Sequence, residues 1–247
     1  MASDRISQNL TAPDFNKDFE QVVIPDIYRH LQAENYQEAL EIINNFYQTK
    51  ANRDENNLLK HKCDSWTALI FEKQGRDREA LSLYKSLAHV MGQNHTLFTY
   101  YQVDVARVLH KLGNNKEARI EIEKVLENSI DSSISDKLTA LNLYIDILED
   151  CHEKLEHKYQ PLVKKLATEL GMLREKDWSK ATNLSQSVKE LSYKNQEANK
   201  RYSRLLIELD QVEDDSQAEV LLRKYISQES VGYYRNLAMK ELDEFVN

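Results

Sequence analysis

Residues 151 to 157, with the sequence CHEKLEH, hold the densest group of metal-binding and nucleophilic side chains in the chain. Helical zinc protease sites place two histidines four residues apart, with a glutamate as the general base. His152 and His157 are five residues apart, which is about 140° around a helix, so one regular helix does not direct both at one metal ion. We therefore predict an exposed, charged helix end here and no metal site.

A second pair, His61 and Cys63, has the residue types of a general base and its nucleophile. The two lie two residues apart and so point to opposite sides of a helix, and we predict that Cys63 is a packing residue. With only five glycines in the chain, no glycine-rich phosphate-binding loop can be written. The sequence predicts no catalytic residues, no cofactor and no enzymatic activity.

The composition indicates a protein built from helices. Five glycines and three prolines among 247 residues are far below the average usage of about 7% and 5%, which excludes a turn-rich β-sandwich. A net charge of −8 disfavours binding to nucleic acid phosphates. The sequence has no apolar run of a membrane span and no apolar signal segment at its start, and its two cysteines show no framework spacing. We expect a cytoplasmic protein that binds neither nucleic acid nor membrane.

A repeated stretch of sequence, or phrase, predicts the helices that would position any site. KQGRDREALSLYKSLA begins at residue 73 and KLGNNKEARIEIEKVL at residue 111, and a weaker copy, AENYQEALEIINNFY, begins at residue 33. In this phrase Gly75 and Gly113 each close one helix, because glycine adopts positive φ without steric cost. A small residue follows in each copy where two helices cross closely, namely Ala39, Ala80 and Ala118. Each copy thus predicts one antiparallel helix pair, and stacked pairs supply a common core.

This pattern resembles the tetratricopeptide repeat (TPR) family. The matching residues are Ala68, Phe71, Gly75, Ala80 and Tyr84 in one unit and Ala106, Leu109, Gly113, Ala118 and Ile122 in the next. The spacing here exceeds the usual 34 residues, and the proline that commonly closes each repeat is missing. The resemblance implies an all-α fold, a right-handed α-solenoid of antiparallel helix pairs. We place an N-terminal extension at residues 1–20, the TPR-like region at 21–172 and a C-terminal helical region at 173–247.

The C-terminal region has a different period. Apolar and small residues from Leu184 to Val212, with Asn195 among them, alternate at spacings of four and three, which predicts one long helix of about 35 residues with a heptad seam. The seam either packs along the repeats of the same chain or forms an intermolecular coiled coil, so a homodimer through residues 184–212 stays open. Two short helices follow, from Ser216 to Ile226 and from Tyr233 to Phe245.

In the TPR family, ligands line the concave surface built by the first helix of each pair, on the side turned away from the small packing residues. The resemblance therefore implies a basic and aromatic partner-binding surface. Carried over position by position, it comprises Tyr28, Gln32, Lys62, Leu69, Lys73, Tyr100, Arg107, His110 and Lys111.

Three functions are compatible with these features. The first is a non-catalytic protein-binding protein (an adaptor, regulator or inhibitor) that holds a protein or peptide on the repeat surface. The second is a bacterial immunity protein or antitoxin that masks a toxin by direct binding, with Glu117, Glu121 and Glu123 as an acidic outer face for a basic partner. The third is a coiled-coil scaffold that dimerises through its long C-terminal helix.

Overall fold

A computed structural model describes residues 19–51, 57–91, 96–128, 133–172, 183–212 and 214–246. These residues form eleven α-helices, a π-helical turn at Phe19–Val23 and a 3-10 turn at His157–Tyr159, and none of them forms a β-strand. The predicted all-helical fold is confirmed. The chain divides into two compact units, residues 1–92 and 93–247, and each is described by itself.

The first unit contains two helix pairs. Its helices are α1 (Ile24–Gln32), α2 (Tyr36–Lys50), α3 (Leu58–Lys73) and α4 (Asp77–Met91). The core between α1, α2 and α3 includes Phe19, which is fully buried and lies 5.5 Å from Phe46 between ring centroids. Phe19 and Glu20, assigned from sequence to the N-terminal extension, thus belong to this unit, whereas residues 1–18 lie outside the described residues.

The described residues of the second unit form seven α-helices. They are α5 (Thr96–Lys111), α6 (Asn115–Asn128), α7 (Ile134–Asp150), α8 (Gln160–Glu169), α9 (Leu184–Asp210), α10 (Asp215–Gln228) and α11 (Gly232–Val246).

Side chains at the starts of α7 and α9 accept hydrogen bonds from backbone N–H groups of the first helical turn. Ser133 and Asp136 form a reciprocal capping box at α7, and Asn183 accepts from the Gln186 N–H at α9. Helix α7 is the centre of this core, with Leu141, Tyr144 and Leu148 almost fully buried.

The turns that end α1, α3, α5 and α8 share one geometry. One residue of each turn lies in the left-handed region. The N–H of the residue after it donates to the carbonyl oxygen five positions earlier than that residue, so a carbonyl at the helix end gains a hydrogen-bond donor. Glycine takes this position three times, with φ of 74° at Gly75, 78° at Gly113 and 71° at Gly171. Glu34 takes it in the weak first copy, with φ of 57°, and the Asn35 N–H bonds to the His30 carbonyl at 2.8 Å. The first copy therefore builds the same turn without glycine.

The predicted small packing residues are buried as expected. Ala39, Ala80 and Ala118 are each 0% exposed, and they lie in α2, α4 and α6, the second helix of each predicted pair. A larger side chain at these positions would have to displace a neighbouring helix. The helix pairs predicted from the repeated phrase are therefore confirmed, including the turns at Gly75 and Gly113 and the buried alanines where the helices cross.

The heptad seam of α9 is buried within its own chain. Helix α9 packs mainly against α7 and also contacts α8, α10 and α11. Val188, Leu191 and Ala198 are fully buried, and Asn195 is 3% exposed and accepts a hydrogen bond from the Tyr234 hydroxyl at 3.1 Å. The seam thus has intramolecular neighbours. Helix α9 spans 27 residues and ends at Asp210, so it is shorter than the 35 residues predicted. The two short helices that follow are confirmed.

Candidate partner-binding surface

The nine predicted surface residues fall in both units. Tyr28, Gln32, Lys62, Leu69 and Lys73 lie in the first unit, and Tyr100, Arg107, His110 and Lys111 in the second. Those of the first unit lie on α1 and α3, and those of the second lie on α5. All nine are exposed or half-buried. The prediction that they form a binding surface remains a prediction.

Helices α1 and α3 of the first unit form one surface, which we call the α1/α3 face: Tyr28 and Gln32 on α1, and Lys62, Trp66, Leu69 and Lys73 on α3. The α3 residues are spaced four, three and four apart and therefore share one side of the helix. The rings of Tyr28 and Trp66 meet edge to face, with centroids 5.2 Å apart and an interplanar angle of 87°. Tyr28 remains 52% exposed, whereas Trp66 is half-buried.

The charges of the α1/α3 face lie at the two ends of its α3 stripe. At one end, the Lys62 Nζ donates to Glu20 Oε1 at 2.7 Å and joins the π-helical turn to α3. At the other end Lys73 is exposed and makes no ion pair with any residue that the structure describes. Trp66 is not among the nine residues predicted from the sequence. Its half-buried position beside Tyr28 adds it to the surface.

Two of the four predicted residues of the second unit, Arg107 and His110, lie beside carboxylates. The Arg107 Nη2 lies 2.5 Å from Asp104 Oδ1 on the same helix. His110 pairs through Nδ1 with Asn115 Oδ1 at 2.9 Å, and its Nε2 lies 3.8 Å from Asp150 Oδ2 on α7. Tyr100 is 50% exposed and meets the ring of Tyr101 edge to face. The basic character predicted for these residues is therefore offset locally by acidic partners.

Helix α7 adds further negative charge beside α5. Desolvation raises the pKa of Asp146, and the neighbouring carboxylates of Glu149 and Asp150 raise it further against the opposing charges of Lys189 and His110. The Lys189 Nζ on α9 bonds to Glu149 Oε1 at 2.9 Å. Sequence reasoning missed these acidic neighbours because they come from a helix some 40 residues away in the chain. This part of the second unit is a mixed-charge surface rather than a basic one.

The cluster at residues 151–157 lies at a helix end, as the sequence predicts. Helix α7 ends at Asp150, Cys151 and His152 are exposed in the turn, and His157 begins a separate 3-10 turn. The two histidines therefore do not share a helix. Across the ranges that the structure describes, no group of three or more His, Cys, Asp or Glu side chains is placed to hold a metal ion. Cys63 is a buried packing residue, 5% exposed, which confirms its predicted role.

A groove that the sequence did not indicate lies between α2 and α3. It has a volume of about 280 Å³, with Leu40, Ile43 and Cys63 among its apolar lining, and the Lys60–Asp64 ion pair beside it. Its volume is at the lower limit for small-molecule pockets, about 300 Å³. Besides Cys63, the groove is lined from α3 by Lys60, Asp64 and Thr67. These three occupy a different side of the helix from Lys62 and Leu69. The groove is thus separate from the α1/α3 face.

Comparison with known proteins returned structural likeness only. No family model matches the chain, and no curated protein matches it. Two solved structures of a Podosopora anserina kinesin-light-chain protein, described as having nearly identical TPR-like repeats, resemble it at 14% sequence identity. A variant of that protein covers 77% of this chain and 100% of its own with a TM-score of 0.49, and the other structure covers 95% and 94% with a TM-score of 0.45. Likeness at this level carries no information about a partner.

The class of protein therefore has to be defined from the geometry of this chain and not from its likeness to other proteins. Helix pairs joined by left-handed turns, with fully buried alanines in the second helices, make it an all-α, TPR-like helical repeat protein. None of the helices in the described ranges combines the length and the hydropathy that crossing a bilayer requires.

Proposed function

We propose that this chain is a non-catalytic protein-binding protein of the cytoplasm, an adaptor, regulator or inhibitor, that holds a protein or peptide segment on the α1/α3 face. The observation that supports this most directly is the contact of the 52% exposed Tyr28 with the half-buried Trp66, which joins two first helices. Exposed aromatic side chains on rigid helices supply large contact area at small entropic cost, and they dominate the energetics of protein interfaces.

The polar groups of the face give the partner a defined chemistry. Leu69 extends the apolar centre along α3, and the ammonium groups of Lys62 and Lys73 stand on either side of it. Carboxylates of a partner segment would form charge-assisted hydrogen bonds with these groups, Lys73 being the more available because Lys62 already bonds to Glu20. Gln32 offers an amide to the partner's backbone. The face thus fits an apolar residue flanked by acidic ones.

The two other functions have weaker support. An immunity protein that uses the acidic outer face of α6 would present Glu117, Glu121 and Glu123 to a basic toxin. Glu121 is bonded to Gln102 and Lys124, and Glu123 accepts from Arg119 and Tyr144, so two of the three carboxylates already have partners in the chain. A coiled-coil scaffold would need the α9 seam, which is buried against the helices of its own unit.

Capture from an extract of the native cell tests the proposal. Tagged wild type is compared with the face variant Tyr28→Ala/Lys73→Glu and with a matched control, Val90→Ala/Lys85→Glu, whose residues are exposed on α4 of the same unit. Proteins retained by wild type and control but lost by the face variant are then purified and measured by calorimetry. We expect at least a tenfold loss of affinity in the face variant. Equal retention by all three chains would refute the assignment.

A further inference from the structure

The outward side of α9 carries a second surface that the sequence analysis did not assign. Tyr193, Glu197, Lys200, Arg204 and Ile207 follow at spacings of four, three, four and three, so they form one stripe, which we call the α9 ridge. The ridge lies about 180° around the helix from the buried seam that begins at Leu184. Tyr193 is 66% exposed, the Lys200 side chain 64% and Ile207 59%.

The charge of the ridge is opposite to that of the protein as a whole. Its five residues comprise two cationic side chains, Lys200 and Arg204, and one carboxylate, within a protein of net charge −8. The one carboxylate, Glu197, lies among cations: a hydrogen bond from Lys200 at 2.8 Å lowers its pKa, and the charges of Lys200, Arg201 and Arg204 lower it further. Arg201 is also held by the buried Glu229. The carboxylates of Glu190 and Glu208 lie beyond the two ends of the ridge, which concentrates the positive charge at its middle.

We propose that the α9 ridge is a docking surface for an acidic amphipathic helix of a protein partner, distinct from the α1/α3 face. Tyr193 and Ile207 are separated by about 21 Å along the helix axis, or four helical turns. A partner helix of similar length would place one apolar side chain on each of them and its carboxylates opposite Lys200 and Arg204. Side-by-side helices contact each other through such i, i+3 and i+4 positions.

Two other occupants fit the ridge less well. In an antiparallel two-fold dimer centred on the ridge, Lys200 of one copy would face Lys200 of the other. Each copy brings two cations and only one carboxylate, Glu197, so one cation per copy would have no acidic partner. A nucleic acid needs a longer row of cations to release several counterions, and here the surrounding protein is acidic. The positive middle with one apolar residue at each end matches an acidic helix.

Fluorescence anisotropy with a defined probe tests this inference. The probe is a labelled 15-residue peptide with leucines at positions 1 and 15, about 21 Å apart in a helix, and glutamates at positions 5, 8 and 12 between them on the same face. Single-stranded dT15 is the comparison. The variant Lys200→Gln/Arg204→Gln removes the central cations without adding negative charge. The control Lys164→Gln/Lys165→Gln removes two exposed lysines from α8. Circular dichroism verifies that each chain remains folded.

We expect wild type and control to bind the peptide with micromolar affinity at 50 mM salt, and the ridge variant to bind at least tenfold more weakly. Tyr193→Ser/Ile207→Ser should also weaken binding but leave its salt dependence unchanged. No peptide binding by wild type, equal loss in ridge variant and control, or tighter binding of dT15 than of the peptide would each overturn the proposal. These variants leave the α1/α3 face intact, so failure here does not affect the proposed function.

Discussion

Single residues decide how tightly the helices of this protein approach each other. Gly171 and Gly232 show this most clearly, since the end of α8 meets the start of α11 through their backbones. A Cβ added at Gly171 would lie 2.9 Å from the Gly232 Cα. By contrast, a Cβ at Gly113 would meet nothing within 4 Å, although its φ of +78° is equally left-handed. Gly113 is therefore required only for its backbone conformation, whereas Gly171 is required both for its conformation and for the close approach of the two backbones.

We predict that Gly171→Ala destabilises the protein more than Gly113→Ala does. Both substitutions put a side chain into the left-handed region, at a cost of about 1–2 kcal/mol. Only Gly171→Ala also forces two backbones apart, which typically adds about 1–3 kcal/mol for an overpacked contact. Urea unfolding of the two variants and wild type measures the difference. Equal losses would show that the α8–α11 contact is not as close as described.

A second prediction at this scale concerns the buried carboxylate of Glu229, whose side chain is 1% exposed. It accepts both hydrogen bonds of the Arg201 guanidinium at 3.0 Å, one from the Val231 N–H at 2.8 Å and one from the Tyr225 hydroxyl at 3.1 Å. Burial alone would raise the pKa of Glu229, but these hydrogen bonds outweigh it and the net shift is downward. The ionised form is thus the one that the fold stabilises.

A carboxyl with a lowered pKa contributes stability above its unfolded pKa of about 4.3, and that contribution is lost as the pH falls through the folded value. We expect Glu229→Gln to cost about 1–3 kcal/mol at pH 7, since a charge-assisted bidentate pair is lost. The difference from wild type should shrink below pH 4. Urea unfolding at pH 7, 5, 4 and 3, with the exposed Glu208→Gln as control, measures this. A constant difference across the series would contradict the assignment.

At the scale of elements, the long helix α9 shows what a sequence pattern can and cannot decide. The heptad spacing correctly predicts a helix with one buried side. It does not say what buries that side, because an intramolecular neighbour and a second copy require the same spacing. The answer comes from Tyr234 on α11, 39 residues beyond Asn195, whose hydroxyl bonds to the Asn195 amide oxygen. That partner has no signal in the local sequence.

We predict that Asn195→Leu costs about 1–3 kcal/mol because it leaves the buried Tyr234 hydroxyl without this acceptor. Tyr234→Phe removes the donor, so the double variant should be destabilised by less than the sum of the two single changes. Unfolding of wild type, the two single variants and the double variant measures the coupling energy between Asn195 and Tyr234. Sedimentation equilibrium measures the mass of each of these four chains. Additive effects, or a change of oligomeric state in Asn195→Leu, would favour the intermolecular coiled coil instead.

The helix pairs themselves were predictable to a large extent, because glycine and alanine at fixed positions are local signals. Gly75, Gly113 and Ala80 fix the turns and crossings. The first copy was harder to recognise, since Glu34 takes the left-handed position that glycine takes elsewhere. The surface was predictable only as separate residues. The contact of Tyr28 with Trp66, and the carboxylates beside His110, depend on helices that are distant in the chain.

For the whole molecule, a net charge of −8 does not describe its surfaces. The α1/α3 face in the first unit and the α9 ridge in the second combine cations with exposed aromatic or aliphatic side chains. A net negative charge favours solubility and disfavours contact with nucleic acid, and we propose that the local cations select acidic segments of protein partners. Under the proposed function the protein holds a partner, and holding it requires no catalytic residue.

Hydroxyl-radical footprinting of the captured partner's complex tests the central claim most directly. Aromatic side chains are oxidised in proportion to their exposure, so Tyr28 and Trp66 report on the α1/α3 face, and Tyr100 and Tyr193, which are 50% and 66% exposed, report on the second unit. We predict that the partner lowers oxidation of Tyr28 and Trp66 by at least fivefold and leaves Tyr100 unchanged. Unaltered oxidation of Tyr28 and Trp66 in a saturated complex would contradict the account.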